Sequence, residues 1–252
     1  MLTLPKAGVP QNVTGPNAFA QDLFTGISQS YDFWARALSF GQYMGWRRSL
    51  VSRLATESSL VLDVSTGRAG VAIEMAKRTR SRVVGLDVTR PMLLSGCREI
   101  DKAGLAGRIG LVQGRGEGLP FPDATFDAVV FTFLLRYVPE PRVAVCEMAR
   151  VLKPGGQMLS LEFGVPANPV WRGSWFLYTR GVMPAITLPV SPGWRRVGSF
   201  LGPSISRFYR SYPLPELARM WDRCGIGSVE ISHLSLGGAV VMSGRKKTRG
   251  GN

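Results

Sequence analysis

The 252-residue chain is short of several things, and each shortage removes a class of protein. It has no long apolar run. Its most apolar stretch, residues 181–190, carries Pro184 and Pro189 and falls well below the ~20 residues that a spanning helix needs. The first residues lack the apolar core of a signal peptide. Histidine occurs once, at His233, and cysteine three times, at Cys97, Cys146 and Cys224, with no Cys-x-x-Cys pair. No metal site and no disulfide framework is expected from this set, and the thiols read as reduced in a cytoplasmic chain. Acids are scarce: 17 against 31 Lys and Arg, a formal charge of +14. The basic residues are scattered, at Arg47-Arg48, Arg78 to Arg82, Arg195-Arg196 and Arg245 to Lys247. With no single stripe, a nucleic-acid partner is not expected. The charge reads as a solvated surface, open to peripheral contact with an anionic membrane such as the inner face of the cell membrane.

What is present is a strand–helix alternation. Residues 60–64 (LVLDV), 82–87 (RVVGLD), 109–113 (IGLVQ), 126–131 (FDAVVF) and 157–163 are short apolar runs that read as buried strands. Helical segments at 70–78, 91–102 and 141–152 fill three of the four gaps between these five runs, the last ended by Pro154-Gly155-Gly156. Such alternation predicts an α/β fold, a Rossmann-like parallel sheet covered by helices on both faces, in one domain spanning residues 1–252. Residues 19–54 read as N-terminal helices after a flexible lead at 1–18. Residues 164–215 break the rhythm with Trp, Tyr, Phe, Pro and Arg, and read as a helical insertion or lid. A helix at 214–224 and antiparallel strands at 229–236 and 239–243 close the sheet before a basic tail at 244–252.

Ligands of such sheets bind at the carboxyl ends of the strands. Three tips carry suitable residues. The turn Asp63-Val64-Ser65-Thr66-Gly67-Arg68-Ala69-Gly70 is built from small residues that let a nucleotide-type cofactor approach the backbone. Asp63 is placed to accept from an ammonium. Asp87, at the end of the next strand, is placed to hold both hydroxyls of a ribose. The run from Gln113 to Phe121 offers backbone amides to an adenine edge.

Further motifs resemble those of the UbiE-type ubiquinone/menaquinone biosynthesis C-methyltransferases, over about residues 24–241. Tyr31-Asp32, Leu38-Ser39 and Trp46 look like that family's N-terminal signature. Leu119 to Asp123 with Phe126-Asp127 looks like its central run, and Leu135-Arg136-Tyr137-Val138 resembles its Leu-Arg-Asn-Val. Arg150 to Gly156, then Leu161-Glu162-Phe163, is close to its second signature. The sequence departs from the family at Trp34-Ala35, Tyr43, Gly164, Arg68-Ala69 and Arg115.

The resemblance implies a class I methyltransferase that uses S-adenosylmethionine (SAM) and methylates a ring carbon of a lipophilic quinol such as demethylmenaquinol. It implies cofactor contacts at Asp63, Ser65, Gly67, Asp87, Val88, Met92 and Thr132. Arg68 is expected to pair with the SAM carboxylate, a role that suits a guanidinium. Arg115 has no acceptor to offer the adenine amino group, so the backbone at Gly116 is expected to serve there. Arg136 is expected to stabilise a phenolate, Tyr43 to orient a hydroxyl, and His233, the sole histidine, is a candidate base. Two alternatives stay open: methylation of another apolar small molecule, and a SAM-fold binding protein with weak or no activity. The oligomeric state is open, a homodimer included.

Overall fold

The computed structural model describes residues 15–248. Three helices come first: α1 (Gly15–Thr25), α2 (Tyr31–Leu38) and α3 (Gln42–Val51). Then β1 (Leu60–Val64), α4 (Gly70–Arg78), β2 (Arg82–Asp87), α5 (Arg90–Lys102), β3 (Ile109–Gln113) and β4 (Phe126–Thr132) alternate. A single 3-10 turn, Leu135–Tyr137, precedes α6 (Pro141–Val151) and the long β5 (Leu152–Phe163). The insertion follows as α7 (Pro169–Leu177), a π turn (Tyr178–Val182), α8 (Met183–Thr187) and α9 (Pro192–Ser211). The chain ends with α10 (Leu214–Arg223), β6 (Ile226–Leu234) and β7 (Ala239–Lys246).

The seven strands form one sheet in the order β3-β2-β1-β4-β5-β7-β6. β1 to β5 pair in parallel, while β7 runs antiparallel between β5 and β6. The order reverses between β1 and β4, so the crevice at their carboxyl ends is the place where this topology admits a ligand. Each face of the sheet is buried. Phe126, Phe131, Met148 and Trp221 fill one side under α6 and α10; Leu50, Met75 and Leu159 fill the other under α3 and α4. Asp127 fastens the opposite, amino end. It accepts from Ser59 N (3.1 Å), Leu60 N (2.8 Å) and Lys153 Nζ (2.7 Å), tying together the starts of β1, β4 and β5.

Three expectations are corrected. The lead is shorter than 1–18: residues 15–18 are helical, and buried Asn17 donates to Glu117 Oε1 at 2.6 Å. The tail also gives up residues to structure, because β7 continues to Lys246, whose Nζ donates to Leu152 O at 2.7 Å. Residues 1–14 and 249–252 of those segments lie outside the described residues. The thiols are not all reduced: Cys146 of α6 and Cys224, next to the end of α10, form a disulfide, and only Cys97 is free. Their 78-residue separation hid the pairing, since only the packing of α10 on α6 brings the two ends together.

The insertion is helical as expected. Its two long arms approach closely because Gly202 of α9 lies on Thr179, where a Cβ would come within 2.8 Å of the threonine Cβ. The Thr179 hydroxyl is satisfied within its own helix by Trp175 O, at 2.8 Å.

Candidate active site

The turn after β1 is shaped by left-handed residues at Ser65, Gly67 and Ala69, with φ of 62°, 55° and 61°. This conformation favours glycine, and two of the three positions hold a side chain in it. The turn is held by Asp87, whose Oδ2 accepts from Gly67 N (2.8 Å) while Oδ1 accepts from Thr89 N (2.8 Å). Burial pushes the Asp87 carboxyl above the ordinary range, and these amide donors pull it back. A carboxylate has about four acceptor sites, so Asp87 keeps capacity for two hydroxyls.

A cavity opens here. Its walls include Ser65, Gly67, Asp87, Val88 and Met92, then Arg115, Gly116 and Thr132. Gly114 lies beside them where no side chain fits, since a Cβ would sit 2.9 Å from Leu86 Cδ1. Of the ten cofactor positions read from sequence, Asp63 alone is absent from these walls. It is fully buried behind the turn, accepting from Thr66 Oγ1 at 2.6 Å. Successive strand residues face opposite ways, and at this tip Val64 reaches the cavity. Burial raises the Asp63 carboxyl to about 7.

Arg68 also departs from expectation. The residue lines the cavity, but its guanidinium donates to Ser28 O (3.0 Å), Gln29 O (2.6 Å) and Glu99 Oε1 (3.1 Å), with Asp32 3.1 Å from Nε. It is a brace between the turn and the N-terminal segment. The cation at the cavity is Arg47 of α3, which sequence reasoning missed. Arg47 is nearly buried, bonds Asp32 Oδ1 at 3.2 Å and Tyr43 Oη, and lies over the Tyr43 ring at 4.0 Å. Its Nε has no partner among the described residues. Its guanidinium fills the space where Gly70, first residue of α4, would otherwise carry a side chain. A buried cation beside a helix N-terminus forms a site for an anionic group.

α1 closes the outer side, which the sequence reading also missed. Gln21 Nε2 donates to Val88 O (2.8 Å), and Asn17 faces the cavity while gripping Glu117.

A second cavity adjoins the first across a shared wall of Phe24, Tyr31, Tyr43, Phe133 and Tyr137. It is largely apolar, enclosed by Trp46 and Phe163 from the core and by Trp175, Met183, Trp194 and Ile205 from the insertion. Its one strongly charged group is Arg136, 2% exposed at the side chain, which donates to Ser204 Oγ at 3.1 Å and lies over the rings of Tyr137 and Phe163. Burial holds the phenols of Tyr31, Tyr43 and Tyr137 above the ordinary range, so they serve as hydroxyl donors and not as bases. His233 is exposed on the edge strand β6 and lines neither cavity. The candidate base is therefore withdrawn: β6 carries it on the far rim of the sheet, three places from β4 and four from β1.

The residues fit a SAM molecule end to end. Arg47 and the start of α4 would hold its carboxylate, Asp87 the ribose, and Met92 with the backbone at Gly114 and Gly116 the adenine. Arg47's unpartnered Nε and the side-chain-free surface at Gly114 are the features this fit rests on.

Solved structures share the fold. A SAM-dependent methyltransferase from Thermotoga maritima covers 90% of this chain and 99% of its own, at a TM-score of 0.60 and 18% identity. The [4+2]-cyclase SpnF covers 94% and 98%, at 0.63 and 15%. A cyclase on the same scaffold shows that fold alone does not fix chemistry. Sequence relatives are closer. A demethylmenaquinone methyltransferase of Desulfitobacterium hafniense is 30% identical over 91% of this chain and 90% of its own. A ubiquinone/menaquinone biosynthesis C-methyltransferase UbiE of Geobacter sulfurreducens is 39% identical over 66% of each. The profile of the ubiE/COQ5 methyltransferase family matches residues 13–246. Matched nearly end to end by that profile, this chain belongs to the ubiE/COQ5 methyltransferase family and is a SAM-dependent methyltransferase.

Proposed function

We propose that the chain methylates a ring carbon of a lipophilic quinol such as demethylmenaquinol. The observation that carries this is the shared aromatic wall: a polar cavity fit for SAM meets an apolar cavity holding one buried guanidinium. The bound sulfonium supplies an activated methyl group, so the protein's work is alignment and charge stabilisation. Phe133 and Tyr43, stacked with centroids 6.1 Å apart, flank the passage between the cavities. Trp175, Trp194 and Phe163 enclose a flat ring and exclude water. The Tyr43 hydroxyl orients the acceptor oxygen. Arg136 stabilises the phenolate that makes the ring carbon nucleophilic, a charge effect that is strongest in a dry site.

The apolar acceptor reaches the cavity from a lipid surface. Leu177, Val182, Ile186 and Leu188 are exposed around the π turn and α8, with Arg180 and Arg195 beside them. Among the described residues no helix is long and apolar enough to cross a membrane. Contact is therefore peripheral, through these side chains and the basic surface, at the cytoplasmic face of an anionic bilayer.

Labelled SAM incubated with the chain and a demethylmenaquinol extract gives a labelled methylated quinol by mass spectrometry. Arg136→Ala lowers kcat by on the order of 10²-fold. Labelling of a different apolar compound, with none in the quinol, would redirect the acceptor. No labelled product at all would end the reading.

A further inference from the structure

Removing the phenol's proton needs an acceptor, and no histidine lies near. The acceptor cavity instead backs onto a buried polar cluster. Glu162 Oε1 accepts from Leu135 N at 3.0 Å, while its Oε2 lies 3.9 Å from Arg136 Nε, too far for a hydrogen bond. Both Glu162 Oε2 and Arg136 Nε lack a hydrogen-bond partner among the described residues, as do Arg136 Nη2 and the hydroxyl of Tyr209 on α9. The three side chains interact electrostatically, and their four unpartnered atoms make up the donor and acceptor set that a bridging water requires. Tyr209 also borders a groove on the outer surface, beside Arg180, Ser206 and Arg210. The cluster therefore runs from the acceptor cavity, at Arg136, to Tyr209, a residue that borders this groove while its hydroxyl stays buried.

Resting on the acceptor reading above, we propose that Glu162 takes the acceptor's proton through a bridging water and returns it to solvent by way of the Tyr209 hydroxyl. The geometry has an electrostatic logic. At rest Arg136 and Glu162 form a neutral pair. When the phenol O–H bond breaks, the electron pair stays on oxygen, the proton goes to Glu162, and Arg136 turns its pairing from carboxylate to phenolate. The buried charge stays zero through the deprotonation, which avoids the large cost of an unpaired charge out of water; after methyl transfer Arg136 regains its partner when Glu162 gives up the proton. The ring carbon then bonds the methyl as the carbon–sulfur bond breaks onto sulfur. The hydrogen on that carbon shifts to the oxygen, restoring the aromatic ring and leaving one proton on Glu162 per turnover. Burial already holds the Glu162 carboxyl above the ordinary range, against the pull of Arg136 and the backbone amides of Leu135 and Leu134. The Tyr209 phenol is raised by burial as well, so it stays protonated and can pass a proton along.

Glu162 acts through water and Arg136, so it is a positioning residue, tested apart from turnover. The probe is 1-naphthol added to the chain alone, with its ionisation read by absorbance and proton release by calorimetry in buffers of different ionisation heat. The wild type binds naphtholate and releases no proton to buffer. Glu162→Gln, whose amide oxygen still accepts from Leu135 N, binds naphtholate and releases about one. In turnover Glu162→Gln lowers kcat on the order of 10²-fold at neutral pH, with KM little changed. Tyr209→Phe keeps the first turnover and slows the following ones. Equal proton release from wild type and Glu162→Gln, or neutral naphthol bound to the wild type, overturns the relay alone. No naphthol binding to the wild type overturns the acceptor reading and the relay with it.

Discussion

Arg47 offers the sharpest test of the cofactor site, because sequence reasoning chose its neighbour Arg68 for the same task. Arg68 already donates to two backbone carbonyls and to Glu99. Arg47 faces the cavity with Nε free of partners among the described residues. A hydrogen bond between charged groups contributes about 1.5–3 kcal/mol. At 1.4 kcal/mol per decade, Arg47→Met should weaken binding of S-adenosylhomocysteine by roughly 10- to 100-fold. The ligand keeps the carboxylate and lacks the sulfonium, so titration calorimetry isolates this contact. Removing Arg47 leaves Asp32 still beside Arg68 Nε, so no charge is orphaned and the fold should persist. Arg47→Lys, which keeps the charge and loses the fork, should fall between. Arg68→Met should change affinity by less than about 5-fold, within the range of a lost brace. An unchanged dissociation constant for Arg47→Met, or a larger loss for Arg68→Met, would refute the assignment.

Further expectations follow from other parts of the molecule. His233→Ala should leave kcat/KM within about two-fold of wild type, as expected of an exposed residue outside both cavities; a hundred-fold loss would restore it as a catalytic candidate. Cys146→Ser should lower stability by about 4 kcal/mol, the loop-entropy value for a 78-residue closure. Calorimetry on the oxidised wild type, the reduced wild type and the variant checks this, and identical melting in all three would exclude the link. Asp63 carries a pH signature. Its folded value near 7 lies above that of an exposed carboxyl, so between about 4 and 7 the folded chain holds a proton that the unfolded chain has lost. Stability from this group is fully present at about pH 4 and falls as the pH rises to 7, by at most about 4 kcal/mol. Asp63→Asn should flatten that slope in denaturant melts; an unchanged slope would place the titration elsewhere.

Much of the scaffold follows from local pattern. β1, β2, β3 and α4 begin and end where the apolar runs and the small-residue turn predict, because buried parallel strands are continuous apolar segments and the turns between them need particular residues. β5 starts earlier than its apolar core suggests. Lys153 to Gly156 already belong to the strand, with Gly155 in the left-handed region at φ 75° and Gly156 where a Cβ would meet Asp127 O at 2.8 Å, so residues that end a helix also open a strand. The same pattern placed Asp87 at a strand tip and Arg136 just beyond one, and both reach the cavities expected of them.

Sequence order alone determined which residues stand at the tips of which strands, and so the family and the cofactor crevice. Side-chain direction and long-range pairing were decided by the tertiary structure. Arg47 and Arg68 are equally plausible cations until α3 turns one toward the cavity and Asp32, Glu99 and the Ser28 and Gln29 carbonyls draw the other away. Cys146 and Cys224 meet only because α10 packs on α6. His233 is kept from both cavities by the edge position of β6, and Glu162 faces Arg136 only because β5 lies beside the turn that follows β4. Local pattern fixes an element through short-range preferences of the backbone; which atoms face one another depends on how distant elements pack, and neighbours in sequence carry no record of that.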